Sequence, residues 1–109
     1  MHSAWFRYVA LHVARTWHAD PTPDGCEAYR HHFTSVVLEE LRRIEGFRGA
    51  YVLMRDGHVQ VISLWESYEA VQRFAGDDID RAVVEPAAAA LLVRYDGHCT
   101  HYEVAVAAI

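Results

Sequence analysis

The sequence predicts a single α+β domain in which a four-stranded antiparallel sheet carries helices on one face. Its 109 residues are the length of one domain. The balance of 52% hydrophobic and 23% charged residues is that of a globular protein. Segments with strand and helix patterns follow the order strand, helix, strand, strand, helix, strand, which is the split βαβ arrangement. The domain spans residues 1–109, with residues 1–10 as an N-terminal extension.

The first strand and the first helix are predicted within residues 11–45. Residues 11–19 alternate as a strand does, and the proline-rich segment 20–25 is a turn, with Asp24 as the expected helix cap. The helix then continues to about Glu45 and stops at Gly46. Its apolar residues fall at helical spacing on one stripe, with His32 at the edge: Tyr29, Phe33, Val36, Val37, Leu41 and Ile44.

The centre of the chain predicts a hairpin. Residues 47–55 and 58–66 are apolar strands, and Asp56-Gly57 between them is a hairpin turn signal. Both strands are apolar on both faces, whereas one face of such a sheet should be polar if it meets water. The economical cover for the second apolar face is another copy of the chain, so we expect a homodimer with two sheets face to face.

The last part of the chain predicts a short helix, a further helical run and a final strand. Ser67 is a good N-cap for a helix over residues 68–75. Pro86 restarts a helical, alanine-rich run that is expected to continue to about Val93. Residues 98–106 form the predicted last strand.

Composition excludes several partners and cofactors. The net charge is −5, with ten Arg and no Lys, which argues against nucleic acid and against lysine-linked cofactors. No apolar run is long enough for a membrane span, and no signal-peptide pattern is present, so we expect a cytoplasmic protein. Cys26 and Cys99 should therefore be thiols, although a single long-range disulfide stays open.

The eight histidines do not predict a metal site. His31 and His32 are adjacent and point to different helix faces. His98 and His101 are three apart on a strand, which places them on opposite faces. No metal is therefore expected, and haem ligation by a lone histidine stays as an alternative.

His101 is the candidate for proton transfer. It lies in an apolar strand, and Glu103 shares its face, so Glu103 or Arg15 on a neighbouring strand could orient the imidazole. A buried polar pair without a substrate explains the pattern equally well. Cys99 faces the same side as His101, which also allows a thiol–imidazole pair.

Aromatic residues supply the candidate substrate-binding positions. Trp65 ends the third strand just before the helix cap, where an indole can form the wall of a planar pocket or simply fill the core. The other candidates for the pocket are Tyr29, His32, Tyr68, Phe74 and Trp17.

Several segments, in this order, resemble the small antibiotic biosynthesis monooxygenase-like proteins of the dimeric α+β barrel superfamily. They are the segment from Gly46 to Arg55, Ser63-Leu-Trp-Glu-Ser67 with Glu69-Ala70, Phe74 to Asp78, Arg81-Ala-Val83, Pro86 and His101-Tyr-Glu-Val104. The resemblance covers roughly residues 11–106. It implies a ferredoxin-like βαββαβ fold, a homodimer formed by opposed sheets and a pocket between sheet and helices.

The best understood members of that family oxidise polycyclic phenols to quinones with O₂, without metal or flavin. Trp65 matches the family's tryptophan, but the family's asparagine falls at Val61 and its following tyrosine near Val71. The haem-degrading branch has a histidine on the second helix, where this chain has residues 74–76, Phe-Ala-Gly.

The resemblance therefore predicts a cofactor-independent monooxygenase that acts on a planar aromatic or polyketide-like metabolite in secondary metabolism. His101 is the expected base, with Glu103 or Arg15 as its partner. A cyclase or isomerase that works in the same pocket without oxygen is the first alternative. A binding protein for a small molecule or haem, without turnover, is the second.

Overall fold

The computed structural model describes residues 11–108. The N-terminal extension predicted over residues 1–10 lies outside the described residues. The elements in chain order are β1 (Val13–Pro21), α1 (Gly25–His32), a π-helical segment (Phe33–Val37), α2 (Leu38–Arg42), β2 (Phe47–Arg55), β3 (His58–Trp65), α3 (Tyr68–Ala75), α4 (Pro86–Ala89), β4 (Leu92–Tyr95) and β5 (Thr100–Glu103).

The strands form one antiparallel sheet, which confirms the predicted α+β, ferredoxin-like fold. β2 and β3 make the predicted hairpin, and β3 pairs with β1 along most of its length. The other edge of β1 is shared: β5 pairs with its first half and β4 with its last residues. Within residues 11–108 the sheet therefore has five strands, where the sequence predicted four.

The extra strand, β4, corrects the prediction of a helix up to about Val93. The alanine-rich run forms only the short α4 helix, Pro86–Ala89, and the chain then becomes extended at Leu92. β1 continues to Pro21, two residues beyond its predicted end, and offers a free edge to which β4 binds. Unpaired backbone N–H and C=O groups at a sheet edge are costly when buried, so pairing outweighs the helical propensity of the sequence.

The ends of the helices agree with the prediction only in part. Asp24 occupies the N-cap position of α1 as predicted, but its side chain makes no cap hydrogen bond. Ser67 Oγ does accept a hydrogen bond from the backbone N–H of Ala70 at 3.1 Å, which confirms the cap of α3. Gly46 follows the first helical stretch at φ 96°, and a Cβ there would lie 2.5 Å from the side chain of Ala70. Both facts require glycine at this turn.

The two faces of the sheet differ in what covers them. The face toward the helices carries the residues that are most completely buried, among them Val13, Val59 and Trp65. The opposite face has no cover within the described chain, yet it presents exposed apolar side chains, Tyr51 at 54% and Leu53 at 45%. Apolar character on both faces of the hairpin, as predicted, is therefore present in the folded chain.

None of the helices in residues 11–108 is both long enough and apolar enough to span a membrane.

Candidate functional site

A cavity lies between the inner face of the sheet and the helical layer. About 80 Å³ of it is open to the centres of water molecules, several times what one buried water needs, so it is more than a packing defect. The space between its walls, including the mouth, is about 710 Å³. Most of the wall is apolar. Its principal side chains come from β1 (Arg15, Trp17), the first helical stretch (Tyr29, His32, Phe33), β3 (Val61, Ser63), α3 (Phe74), the loop after it (Val83, Val84) and Cys99.

Arg15 places a positive charge in this apolar wall. The residue is only 4% exposed, and burial lowers the pKa of its guanidinium, which nevertheless stays protonated at neutral pH. Nη1 donates to the carbonyl oxygen of Ile79, and Nη2 donates to that of Arg81 at 2.9 Å. The guanidinium therefore holds the segment after α3 against the sheet, where that segment closes one side of the cavity.

His101 lies behind Arg15 and outside the cavity wall. Its side chain is 5% exposed, and its Nε2 is 3.0 Å from Arg15 Nη1. Because a guanidinium can only donate, Nε2 must be the acceptor and the proton of the neutral ring is on Nδ1. Nδ1 lies 3.3 Å from Oδ1 of Asp80, although this contact lacks the geometry of a regular hydrogen bond. Burial, and then the charge of Arg15, lower the pKa of His101, so the ring is neutral at pH 7.

His32 brings a second imidazole to the cavity. It is half-buried on the last turn of α1, and its Nε2 is buried without a hydrogen-bond partner. Such an orphaned nitrogen in a cavity wall is a position where a ligand hydroxyl could bind, since buried polar groups normally have partners. Tyr29 lies in the same wall one turn earlier, and burial raises the pKa of its phenol to about 12.

The structure brings some of the predicted site residues together and separates others. Arg15, Trp17, Tyr29, His32 and Phe74 all line the cavity.

Besides His101, three predicted residues lie outside the cavity wall. Trp65 is completely buried, so it is a core residue behind the cavity, where its ring stacks on Phe74 at 5.8 Å. Tyr68 is 46% exposed and reaches the ring of His101 at 6.1 Å. Glu103 is exposed, and the carboxylate beside His101 is that of Asp80, so Glu103 is not the partner expected for the imidazole.

Asp80 and the loop around it are the functional positions that sequence reasoning missed. The segment between α3 and α4 forms no helix, and nothing in its sequence indicated that its carbonyl groups would bind Arg15. Two backbone hydrogen bonds, Ala82 N to Gly97 O and Cys99 N to Asp80 O, join the loop to the segment that leads into β5. Only these long-range contacts place Asp80 next to His101.

Among residues 11–108, no group of three or more His, Cys, Asp or Glu side chains is arranged to hold a metal ion. Cys26 and Cys99 are both free thiols, and Cys99 is buried.

Solved structures share this fold over nearly the whole chain. A monooxygenase from Streptomyces coelicolor, the product of the gene ActVA-Orf6 in complex with nanaomycin D, is 19% identical and has a TM-score of 0.71 over 92% of this chain and 93% of its own. A candidate antibiotic biosynthesis monooxygenase from Bacillus cereus is 20% identical, with a TM-score of 0.59 over 91% and 98% of the two chains. A protein of unknown function from Nitrosomonas europaea is 19% identical, with a TM-score of 0.67 over 92% and 95%.

No family model and no curated protein matches the sequence. The fold is thus that of antibiotic biosynthesis monooxygenase-like structures, in agreement with the resemblance in the sequence. At these identities, the likeness concerns the fold, and the activity has to be argued from the cavity.

Proposed function

We propose that the protein is a cofactor-independent monooxygenase that oxidises a planar, phenolic aromatic or polyketide-like metabolite with O₂. The observation that carries the proposal is the composition of the cavity. Aromatic side chains form its walls, and two nitrogen-bearing groups, the guanidinium of Arg15 and the unpartnered Nε2 of His32, lie among them. A phenol that becomes an anion during reaction needs apolar walls, a proton acceptor and a positive charge.

The reaction needs no external reductant. A base removes the phenolic proton, the phenolate gives an electron to O₂, and the two radicals combine at the ring carbon opposite the oxygen. The protonated base returns its proton to the resulting peroxide, which becomes a hydroperoxide. Loss of the proton on that carbon breaks the O–O bond and expels hydroxide, which leaves as water. One oxygen atom ends in the quinone and the other in water, so a phenol and O₂ are converted to a quinone and H₂O.

We assign the proton-accepting role in the cavity to His32. Its Nε2 has no hydrogen-bond partner among the described residues, whereas Nε2 of His101 already accepts from Arg15. Arg15 would place a positive charge beside the bound substrate. Trp17, Tyr29 and Phe74 would hold the ring system flat. His101, which the sequence favoured as base, then acts as a positioning residue through Arg15.

We also propose that the working protein is a cytoplasmic homodimer. Support for the dimer comes from the apolar outer face of the sheet, where Tyr51 and Tyr102 are each 54% exposed. Support for a reducing compartment comes from the two unpaired cysteines.

Oxygen uptake tests the proposal. The metal- and flavin-free protein is incubated with a panel of fused-ring phenols in an oxygen electrode, and we expect one O₂ consumed for each quinone formed. His32→Ala should lower turnover by about 10² to 10⁴, the usual contribution of a placed base. His31→Ala is the control, because His31 is exposed on a different face of the same helix. His101→Gln should lower turnover less than His32→Ala.

The alternatives give different results in the same assay. Conversion of the phenols without oxygen uptake would identify a cyclase or isomerase. A Soret band on addition of hemin, without turnover of any phenol, would identify a haem-binding protein. Either result contradicts the proposed monooxygenase.

A further inference from the structure

We infer that the natural substrate carries an anionic oxygen, a carboxylate or an equally acidic group, which pairs with the guanidinium of Arg15 inside the cavity. The inference rests on the proposed function for the location of the substrate, and it adds a substrate class to it. The inference follows from two observations: the positive charge of Arg15 forms no ion pair, and some of its N–H groups donate no hydrogen bond within the described residues.

The charge of Arg15 has no direct counter-ion in the part of the chain that the structure describes. None of the ion pairs formed within residues 11–108 includes it. The charge of Asp80 favours the protonated guanidinium, but this carboxylate forms no ion pair with Arg15, and its side chain is 68% exposed. A buried charge without a partner is expensive, so a site that keeps one is suited to an anionic ligand.

The other acidic groups near the cavity do not neutralise Arg15. Burial raises the pKa of the Cys99 thiol, which is therefore protonated at neutral pH. Glu40 and Glu85 belong to the cavity wall but are exposed, and neither forms an ion pair with Arg15. The positive charge consequently stays available to whatever enters.

The donors of Arg15 show how the ligand would bind. A guanidinium has five N–H groups. Contacts to Ile79, His101 and Arg81 occupy both hydrogens of Nη1 and one of Nη2. The remaining donors, Nε–H and one Nη2–H, make no hydrogen bond within the described residues and can bind the oxygen atoms of a carboxylate.

Apolar surface adjoins this charge. The Arg15 Cζ atom lies 5.9 Å from the centroid of the Phe74 ring, and Trp17 is two residues further along the same face of β1. A flat ring system with an acidic substituent would place its ring among the aromatic side chains and its anionic oxygens on the guanidinium.

Calorimetric binding of two ligands of nearly identical shape tests the inference. We titrate the wild-type protein with 2-naphthoate, which is anionic, and with 2-naphthamide, which is neutral. We expect the naphthoate to bind at least about tenfold tighter, because hydrogen bonds to charged groups are about twice as strong as neutral ones. In Arg15→Gln, the two ligands should bind with similar affinity. Arg55→Gln, an exposed arginine at the hairpin turn, should retain the wild-type preference.

The outcomes separate this inference from the proposed function. Equal affinities of the wild-type protein for the two ligands would overturn the anionic substrate class and leave the monooxygenase proposal intact. Binding of neither ligand would overturn both, since the cavity would then not accept an aromatic ring system. The wild-type comparison decides the question even if Arg15→Gln does not fold.

Discussion

Nη1 of Arg15 lies 3.0 Å from Nε2 of His101, and this contact determines the protonation of the histidine. The guanidinium can only donate, so His101 accepts at Nε2 and directs Nδ1 toward Asp80. A protonated His101 would point an N–H group at an N–H group. The contact thus links the charge in the cavity wall to an imidazole that has to stay neutral.

Stability should fall with acidification through His101. The folded-state pKa of His101 is below its ordinary value of 6.5, because burial and Arg15 disfavour the imidazolium. The folded protein therefore binds fewer protons than the unfolded chain, and the stabilisation is complete above pH 6.5 and is lost as the pH falls below it. We expect the urea midpoint of the wild type to decrease from pH 7 to pH 5.

His101→Gln removes this titration and retains an acceptor for Arg15, so its midpoint should change less over the same range. His31→Gln, an exposed imidazole, should follow the wild-type profile. A His101→Gln profile parallel to that of the wild type would contradict the lowered pKa of His101.

The outer face of the sheet should be buried in the interface of a dimer. Leu53 is 45% exposed on this face beside other apolar side chains. Leu53→Arg would bring a charge into the contact between two sheets, which costs several kcal/mol when it is unpaired. We expect light scattering at micromolar concentration to give a dimer mass for the wild type and a monomer mass for Leu53→Arg.

Val36→Arg is the matched control, because Val36 is an apolar residue of similar exposure, 37%, in the helical layer. It should remain dimeric. A monomeric wild-type protein would rule out the dimer.

The hydrogen bond between the indole N–H of Trp65 and Ser63 should contribute to the stability of the protein. Nε1 of this completely buried ring donates to Ser63 Oγ at 2.9 Å. Ser63→Ala leaves a buried donor without a partner, and we expect about 1–3 kcal/mol of lost stability in urea denaturation. In a Trp65→Phe background the same change should cost clearly less, because phenylalanine has no N–H group. Equal costs in the two backgrounds would show that the hydrogen bond contributes nothing.

The two cysteines should react at different rates. Cys99 is buried and its thiol pKa is raised by burial, whereas Cys26 is half-buried at the start of α1. With Ellman's reagent at pH 8, we expect one thiol to react promptly in the folded protein and two in denaturant without reductant. Cys26→Ser should abolish the prompt phase. No reactive thiol in the denatured protein would indicate a disulfide.

Local signals determined most of the fold. The Asp56-Gly57 turn placed the hairpin, and Ser67 placed the start of α3, because turn and cap preferences act between neighbouring residues. The apolar stripe that contains Tyr29 and Phe33 identified the buried side of the first helix. These features depend on short-range stereochemistry and hydrophobic periodicity, which a single sequence contains.

The site was only partly predictable, for a physical reason. Aromatic and basic residue types indicated a pocket, and five of the nine candidates do line it, namely Arg15, Trp17, Tyr29, His32 and Phe74. Whether a large ring such as Trp65 forms a wall or the core depends on what packs on its other side. That information resides in contacts between residues far apart in sequence.

The sequence alone thus determined the order of the elements, the hairpin, the apolar character of both sheet faces and the residue types available for a pocket. Only the tertiary structure decided that Leu92–Tyr95 is a strand, that Asp80 stands beside His101 and that Arg15 enters the cavity wall. Leu92–Tyr95 is a strand because it pairs with the free edge of β1. Arg15 is held in place because it donates hydrogen bonds to backbone carbonyl groups of the loop between α3 and α4. Sheet pairing and burial at long sequence separation outweigh local propensity at these positions.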